Sequence, residues 1–461
     1  MKKIVCLLMA LAMTAAVFAG CKSEGGSGSK GSFEYKDLGG RTIKIFSQNQ
    51  IDPRKNPSSE TDPRHAESVA HWETIEEKFN CKIDCISSES FTEFQNGYVT
   101  AVGAGSVISD VIYGDATMAY PTWMVSGLLD PVDGLYDYKN ESGTSPWDEK
   151  YQNFYYNGKC YGILQREASL PTWALLFNKR IFSQYEQLKG YDMYSMVENK
   201  EWTFDKFREI ARNATIDENG DGKPEIMGVA TMGRPSSYLN NSLVPSNGCF
   251  FVKTEGDKVV FDLGSPEGLE AMQLTYDMAY TDKSLGFDGD FDDPGMHAAS
   301  QFKAGKVAIF SLGLGNIPEY TEALKNDQFG LLPIPIGPKA PNGDYVNQVA
   351  LFNFWGVVPG SQNQEDTANV ITALVSTLEG EKAYDVKSAW EKHFFDEESL
   401  EILEMMVKNP TYCAYYGYHV MIENVCWSDY GLTFGLTPAA FVEECRNLVQ
   451  DGIDTAWTPR T

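Results

Sequence analysis

RTIKIFSQ, residues 41–48, alternates polar and apolar side chains and is rich in β-branched residues, a pattern that predicts a β-strand with one buried face. HAESVAHWETIEEKFN at 65–80 follows it with apolar residues at helical spacing and predicts an amphipathic helix. CKIDCIS (81–87) predicts a second strand and, after another helical run, SDVIYGD (109–115) predicts a third, buried strand. This β-α-β-α-β order indicates an α/β fold in which helices cover both faces of a parallel sheet.

The ends of the predicted strands are the first candidates for a ligand site. In open sheets of this type, ligands bind beyond the carboxyl ends of the strands, which here are Gln48 with Asn49 and, further on, Asp115. Tyr120 and Trp123 follow closely in the chain. An aromatic ring stacks on the C–H face of a sugar while amides and carboxylates bond its hydroxyl groups, so this combination favours a carbohydrate. The alternative is that these aromatic residues belong to the core.

Bulk properties exclude several classes of function. The chain has 461 residues, too many for one ordinary hydrophobic core, so we expect two or three lobes. A formal net charge of −26 argues against binding to nucleic acid or to an anionic membrane surface. The sequence has no HExxH, G-x-S-x-G or P-loop lysine motif, and its histidines have neither metal-ligand nor catalytic-triad spacing. We therefore expect a protein that is not an enzyme.

The N-terminus is typical of a secreted protein. Residues 1–20 begin with MKK, continue as an apolar stretch and lead directly into polar sequence, which predicts a signal peptide rather than a membrane span. VFAGC at 17–21 resembles a bacterial lipobox, which implies that Cys21 is acylated, with palmitate as a typical acyl chain, and becomes the first mature residue. The alternative is an ordinary cleaved signal followed by a free cysteine. Residues 21–32 are rich in Gly and Ser and predict a flexible tether.

A series of landmarks further along the chain carries a resemblance to a known family. The landmarks are GLLDPVD (127–133), NGKCYGI (157–163), LLFNKRIF (175–182), EWTFDKFREIA (201–211), FKAGKVAI (302–309), FGLLPIPIGP (329–338) and FWGVVPGSQNQEDTANVITALVS (354–376). In order and spacing they resemble family 1 extracellular solute-binding proteins, the lipid-anchored receptors of ABC importers that include maltose- and alginate-binding proteins. The resemblance implies a periplasmic-binding-protein-like α/β fold of two lobes joined by three hinge crossovers.

The resemblance also implies a division of the chain. The expected segments are a lipoprotein signal peptide (1–20), a flexible tether (21–32), lobe one (33–166 plus 312–350), lobe two (170–308 plus 353–440) and a C-terminal helix and tail (441–461). The crossovers are expected near 164–173, 308–314 and 347–354. Further ligand-binding residues are then expected beside the crossovers and the cleft: Arg166, Glu167, Asn316, Trp355, Tyr415 and Tyr416.

The implied function is capture of a small solute between the lobes. The resemblance favours a sugar or oligosaccharide, delivery to the permease subunits of an ABC transporter, and a monomer held by its lipid anchor at the outer face of the cytoplasmic membrane. One alternative is a glycan-binding surface adhesin with no role in transport, which would also be anchored, acidic and rich in aromatic residues. The other is a secreted hydrolase with an unrecognised motif.

DENGDGKPEIMGV at 217–229 begins like the calcium loop of an EF-hand but has Gly228 where that loop has its twelfth-position glutamate. It lies between a predicted helix and a predicted strand. Some relatives, notably alginate-binding ones, have a similar helix–loop–strand calcium site. Transfer by position implies a structural Ca²⁺ held by these oxygen donors: the side chains of Asp217, Asn219, Asp221 and Glu225 and the Lys223 carbonyl. The alternative is a metal-free turn held by Asx hydrogen bonds.

Overall fold

The structure is a computed structural model. It describes residues 33–56, 64–88, 90–138, 145–148, 154–165, 170–231, 238–256, 258–287, 297–350, 352–382, 385–413 and 435–458. The strands are β1 (Arg41–Ser47), β2 (Cys81–Ser87), β3 (Val111–Asp115), β4 (Trp147–Asp148), β5 (Tyr155–Tyr156), β6 (Lys159–Cys160), β7 (Leu164–Gln165), β8 (Trp173–Asn178), β9 (Met227–Thr231), β10 (Val252–Glu255), β11 (Lys258–Phe261), β12 (Leu285–Gly286), β13 (Val307–Gly313), β14 (Phe329–Leu332), β15 (Asn347–Val349), β16 (Asn353–Val357) and β17 (Pro410–Tyr412).

The α-helices alternate with these strands through most of the chain. They are α1 (His65–Lys78), α2 (Phe91–Gly103), α3 (Ala116–Ala119), α4 (Thr122–Val125), α5 (Lys179–Gln184), α6 (Met193–Glu198), α7 (Phe204–Asn213), α8 (Tyr238–Ser246), α9 (Pro266–Tyr276), α10 (Ala298–Lys303), α11 (Pro318–Thr321), α12 (Gln364–Val375), α13 (Val386–Trp390), α14 (Glu397–Lys408) and α15 (Pro438–Ala456). None of these described helices is long and apolar enough to cross a membrane.

Lobe one is built on a four-stranded sheet of order β16-β3-β1-β2. β1 runs parallel to β2 and β3, while β16 runs antiparallel to β3. Neighbouring side chains of β1 point to opposite faces of the sheet; Ile45 is fully buried, and Phe46 stacks on Phe94 of α2 with ring centroids 4.9 Å apart. Both faces are therefore covered, and the predicted β-α-β-α-β order is confirmed.

Lobe two has a five-stranded sheet of order β12-β9-β13-β8-β14. β8 is antiparallel to both of its neighbours, and β9 and β12 run parallel to β13. All six residues of β8, Trp173–Asn178, are buried, as expected for an interior strand of a covered sheet. The two sheets form the two-lobe, periplasmic-binding-protein-like α/β fold that the sequence predicted.

The division of the chain between the lobes differs from the prediction in two places. β14 was expected in lobe one but pairs with β8 of lobe two, with Gly330 opposite Phe177. β16 was expected in lobe two but pairs with β3 of lobe one, with Trp355 opposite Tyr113. Both strands are buried and apolar, so their sequences indicate a strand without indicating its partner.

These pairings move the crossovers. The crossover expected near 308–314 is wrong, because after β13 the chain folds back and Tyr320 packs on Phe310 of the same lobe, with ring centroids 5.5 Å apart. The crossover near 347–354 exists but runs from lobe two to lobe one. A further crossover, between α12 and α13, was not predicted. It returns the chain to lobe two, where Phe394 packs on Phe329 of β14.

Thr172 joins the segments that meet at the hinge. Its N–H donates to the Gln348 carbonyl at 2.7 Å, and its hydroxyl accepts from the Ala350 N–H at 2.7 Å. Its carbonyl accepts from the Leu314 N–H at 2.9 Å. The crossover leaving lobe one is thus hydrogen-bonded to the crossover that returns to it and to the end of β13.

Candidate ligand-binding cleft

Polar side chains gather at the carboxyl edge of the lobe-one sheet. β1 and β3 are parallel and β16 is antiparallel, so Gln48, Asp115 and Asn353 all lie at this edge. The Gln48 side-chain carbonyl accepts from the Asp115 N–H at 3.3 Å, and the Gln48 N–H donates to the Tyr113 carbonyl at 3.2 Å. The structure therefore brings together Gln48 and Asp115, two residues predicted from strand ends alone.

The Asp115 carboxylate is a partly buried charge with few donors. Oδ1 accepts from the Thr117 N–H at 2.8 Å, which caps α3. Burial raises the pKa of Asp115 above its ordinary value, because the surrounding protein disfavours the charged form. A ligand hydroxyl group can donate a hydrogen bond to the Asp115 carboxylate. This bond would replace one that the carboxylate makes to water when it is exposed. Asp115 is therefore suited to accept a bond from a polyhydroxylated solute.

The loop that follows β1 is fixed by a buried ion pair. Asp52 is fully buried, and Arg54 donates to both of its oxygens at 2.9 Å and to Glu76 of α1 at 2.8 Å. Hydrogen bonding to Asp52 raises the pKa of Arg54. Arg54 also reaches the Ile83 carbonyl on the open edge of β2 at 3.4 Å, which helps to cover an edge strand. The loop is held in place before any ligand arrives.

Asn49 is an exposed residue of this fixed loop. The Ser47 hydroxyl donates to the Asn49 carbonyl at 2.7 Å and holds its backbone. Its side chain makes no hydrogen bond to the residues that the structure describes and is open to solvent. An exposed amide can both donate and accept hydrogen bonds, so Asn49 is suited to contact a ligand.

Trp355 lies behind the cleft wall rather than on it. The side chain is 3% exposed, and the Tyr113 ring covers it with centroids 4.5 Å apart. Its indole N–H is buried without a hydrogen-bond partner among the described residues. Tyr113 is partly exposed, and its hydroxyl accepts from the Asn353 side-chain amide at 3.3 Å. The aromatic residue at this edge is therefore Tyr113, where the sequence had suggested Trp355.

The two aromatic residues predicted after β3 do not present open faces to the cleft. Trp123 is 2% exposed and stacks on Tyr98 of α2, with ring centroids 4.5 Å apart. Tyr120 is buried between Phe154 and Trp457. The short helix α4 turns back over α2 and fills the core. Trp123 is therefore a core residue, as the alternative to a ligand-binding role predicted.

The lobe-two side of the cleft is described in part. Asn316 is partly exposed in the turn that follows β13, at the carboxyl edge of the lobe-two sheet. Trp173 begins the antiparallel strand β8 opposite Gly313, so it lies at the same edge, but its ring is buried. The remaining predicted ligand residues, Arg166, Glu167, Tyr415 and Tyr416, lie outside the described residues, as does Cys21.

The 217–225 loop lies at the opposite edge of its sheet. It precedes β9 and therefore stands at an amino end, away from the cleft. Asp217 accepts from the N–H groups of Gly220 at 2.7 Å and Gly222 at 2.8 Å, and Glu225 accepts from the Asn219 amide at 2.6 Å. Among the described residues, no three His, Cys, Asp or Glu side chains are grouped so as to hold a metal ion. The loop's polar groups instead satisfy one another as Asx hydrogen bonds, and calcium binding here stays a prediction.

Comparison with known proteins decides the family. The sequence model of the family described as bacterial extracellular solute-binding protein matches residues 67–384. The chain belongs to this family. No curated protein matches this solute-binding protein in sequence. The family is one of binding proteins, and its name places it outside the cell.

Solved structures share the fold of this solute-binding protein at low sequence identity. UspC of M. tuberculosis matches with a TM-score of 0.60 at 13% identity, covering 89% of this chain and 99% of UspC. A cyclo/maltodextrin-binding protein in complex with maltotetraose matches with a TM-score of 0.62 at 15% identity, over 90% and 97% of the two chains. The galacto-N-biose/lacto-N-biose I-binding protein of Bifidobacterium longum, bound to lacto-N-biose, matches with a TM-score of 0.59 at 13% identity, over 92% and 100%.

Two residues at the cleft edge of the solute-binding protein, Tyr113 and Asn353, were not among the predicted ligand residues. Tyr113 lies two positions before Asp115 in β3, and side chains two apart in a strand share a face. This spacing was a usable signal. Asn353 was not among the predicted ligand residues, because its position depends on the pairing of β16 with β3, which the local sequence does not encode.

Proposed function

We propose that this protein captures a sugar or oligosaccharide between its lobes and delivers it to the permease subunits of an ABC transporter. The observation that carries the proposal is the polar edge of lobe one, where Gln48, Asn49, Asp115 and Asn353 lie at the same sheet edge as Tyr113. Amide and carboxylate groups beside an aromatic ring suit a ligand with hydroxyl groups on a C–H framework. Neighbouring structures that bind maltotetraose or lacto-N-biose support the choice of carbohydrate.

Binding is proposed to close the lobes about the hinge. A ligand that contacts both lobes favours the conformation in which both contacts form, so it shifts the population towards closure. The chain supplies no chemical step in this account. Incubation of the purified protein with each sugar should leave the sugar unchanged by chromatography, and any released product would indicate a hydrolase.

A thermal-shift screen tests the ligand class. The panel is maltotetraose, mannotriose, lacto-N-biose and tagatose, and a ligand that binds only the folded protein raises the melting temperature. We expect at least one sugar to raise it in the wild-type protein and in Asp217→Asn, which alters the distant 217–225 loop. The same sugar should lose most of its effect on Asp115→Asn. Absence of any shift across the panel would contradict the carbohydrate assignment.

We propose that Cys21 carries the lipid anchor, that residues 21–32 form the tether and that the protein acts as a monomer. The lipobox-like sequence VFAGC and the Gly/Ser-rich segment after it support the anchor. In intact cells, Cys21→Ala should move the protein from the membrane fraction to the medium. Uptake of a labelled sugar that the protein binds should fall in the same cells. If uptake is unchanged when the whole protein is deleted, the protein is an adhesin rather than a transport receptor.

A further inference from the structure

The C-terminal helix α15 belongs to lobe two by its packing. Its inward-facing residues Phe441, Val442, Cys445, Val449 and Ile453 are buried. Gln450 accepts from the Phe261 N–H at 2.8 Å and donates to the Val259 carbonyl at 3.1 Å, which ties the helix to β11. The helix therefore moves with lobe two.

The residue that ends this helix contacts lobe one. Trp457 lies directly after α15, and its ring is 5.7 Å from that of Tyr120, at an interplanar angle of 88°. It is also 6.3 Å from the ring of Tyr156, at 40°. These separations fall in the range of favourable aromatic pairs.

Both tyrosines are fixed in lobe one. Tyr120 follows α3 and packs edge-on against Phe154, with ring centroids 6.3 Å apart. Tyr156 belongs to the β5–β6 hairpin that begins beside Phe154. Phe154 in turn stacks on Phe354 of β16, at 4.9 Å. The contact made by Trp457 therefore leads directly to the lobe-one sheet.

We infer that Trp457, Tyr120 and Tyr156 form an aromatic clasp that joins the lobes without a covalent connection. The described crossovers connect the lobes through the chain, and relative motion of lobes about such hinges is the default for the architecture. The Tyr120 segment follows the carboxyl end of β3, which is the cleft edge of lobe one. Opening the cleft moves this edge away from lobe two and separates the rings, so the clasp favours the closed arrangement.

The clasp predicts a positioning role for Trp457 that does not depend on contact with a ligand. Each aromatic pair of the clasp contributes about a three- to tenfold bias to an equilibrium, and removing one pair should shift the lobes towards opening by that factor. The effect would be present in the protein without ligand. It would also lower the affinity for any ligand that requires closure, by up to the same factor.

Small-angle X-ray scattering of the ligand-free, full-length mature protein tests the clasp. Trp457→Ala and Tyr156→Ala remove the contact from opposite lobes, and both should increase the radius of gyration. Trp457→Phe keeps a ring and should return it towards the wild-type value. Leu448→Ala is the matched control, because Leu448 lies on the same helix with 53% of its surface exposed, and it should leave the radius of gyration unchanged.

The outcomes separate a clasp from a structural cap of lobe two. The clasp is supported if Trp457→Ala and Tyr156→Ala both increase the radius of gyration by more than Leu448→Ala does. A lower melting temperature with an unchanged radius of gyration, in either variant, would overturn it, as would a decrease in the radius. Because no ligand is present, failure of every sugar in the binding screen would count against the proposed function and not against the clasp.

Discussion

Two loops with three Asp or Asn residues each, 48–56 and 217–225, lie at opposite ends of strands. The first follows β1 and stands at the cleft edge, whereas the second precedes β9 and stands at the far edge of its sheet. In the first, the buried Asp52 is paired with Arg54, the Asn49 backbone is held by Ser47, and the Asn49 side chain is exposed. In the second, the Asp217 carboxylate accepts hydrogen bonds from the N–H groups of the loop's own backbone. The position of a loop relative to its strand is therefore more informative than its content of Asp and Asn.

The largest expected difference between the loops is in stability. Arg54→Ala removes the partner of a fully buried carboxylate, Asp52, and should lower the free energy of unfolding by about 3 kcal/mol. Asp217→Ala removes an acceptor from exposed N–H groups that water can replace, and should cost about 1 kcal/mol. Urea denaturation followed by circular dichroism measures both. Equal losses in the two variants would contradict the contrast between a buried brace and a surface turn.

The next effect concerns ligand affinity. Asp115→Asn weakens a hydrogen bond to a charged acceptor, and such bonds contribute about 1.5–3 kcal/mol, so binding of the sugar found in the screen should weaken about tenfold or more. Asn219→Ala, in the other loop, should leave the dissociation constant unchanged. Isothermal titration calorimetry provides both values. If Asn219→Ala weakens sugar binding as much as Asp115→Asn does, the ligand binds elsewhere.

A smaller effect should appear as a function of pH. Burial raises the pKa of Asp115 above 3.8, so its carboxylate takes up a proton at a higher pH than an exposed aspartate does. Burial of the ionised form costs stability above the folded-state pKa, and this cost disappears as the pH falls through it. Ligand hydroxyl groups bond the ionised form, so affinity should fall in the same window. Asp115→Asn should reduce this pH dependence, and an unchanged profile in that variant would assign it to another group.

The smallest expected effect is that of calcium on the 217–225 loop. If Ca²⁺ binds there, 1 mM CaCl₂ should raise the melting temperature above that of EDTA-treated protein, since an ion held only by the folded state stabilises it. Glu225→Gln should reduce this rise, and sugar affinity should be the same with and without calcium. A melting temperature unaffected by EDTA, with no calcium by elemental analysis, would show a metal-free turn.

The sequence predicted the parts of the fold that local patterns encode. β2 has the predicted bounds, 81–87, and β1 and α1 end within two residues of theirs, because apolar periodicity reports which face of an element is buried. The position of Gln48 and Asp115 followed from strand ends. The pairing of strands could not be predicted from local patterns, since β14 and β16 are apolar strands that fit either sheet. For the same reason the crossover after α12 was missed.

Aromatic residues were the least predictable part of the site. Trp123 and Tyr113 lie ten positions apart near the same edge, yet Trp123 is buried on Tyr98 while Tyr113 covers Trp355 at the cleft. Which of two aromatic rings fills the core depends on the turn made by α4, and this turn is a tertiary feature. Short polar residues at strand ends are constrained by the backbone and were therefore easier to place.

Amide hydrogen exchange with and without the bound sugar tests the central claim most directly. Exchange reports local opening, and a ligand that contacts both lobes slows it where the contacts form. We expect slower exchange in residues 48–56 and 113–117 and at the hinge around Thr172, with no change in 217–225. Unchanged exchange at the lobe-one edge, or protection centred on the 217–225 loop, would contradict that claim.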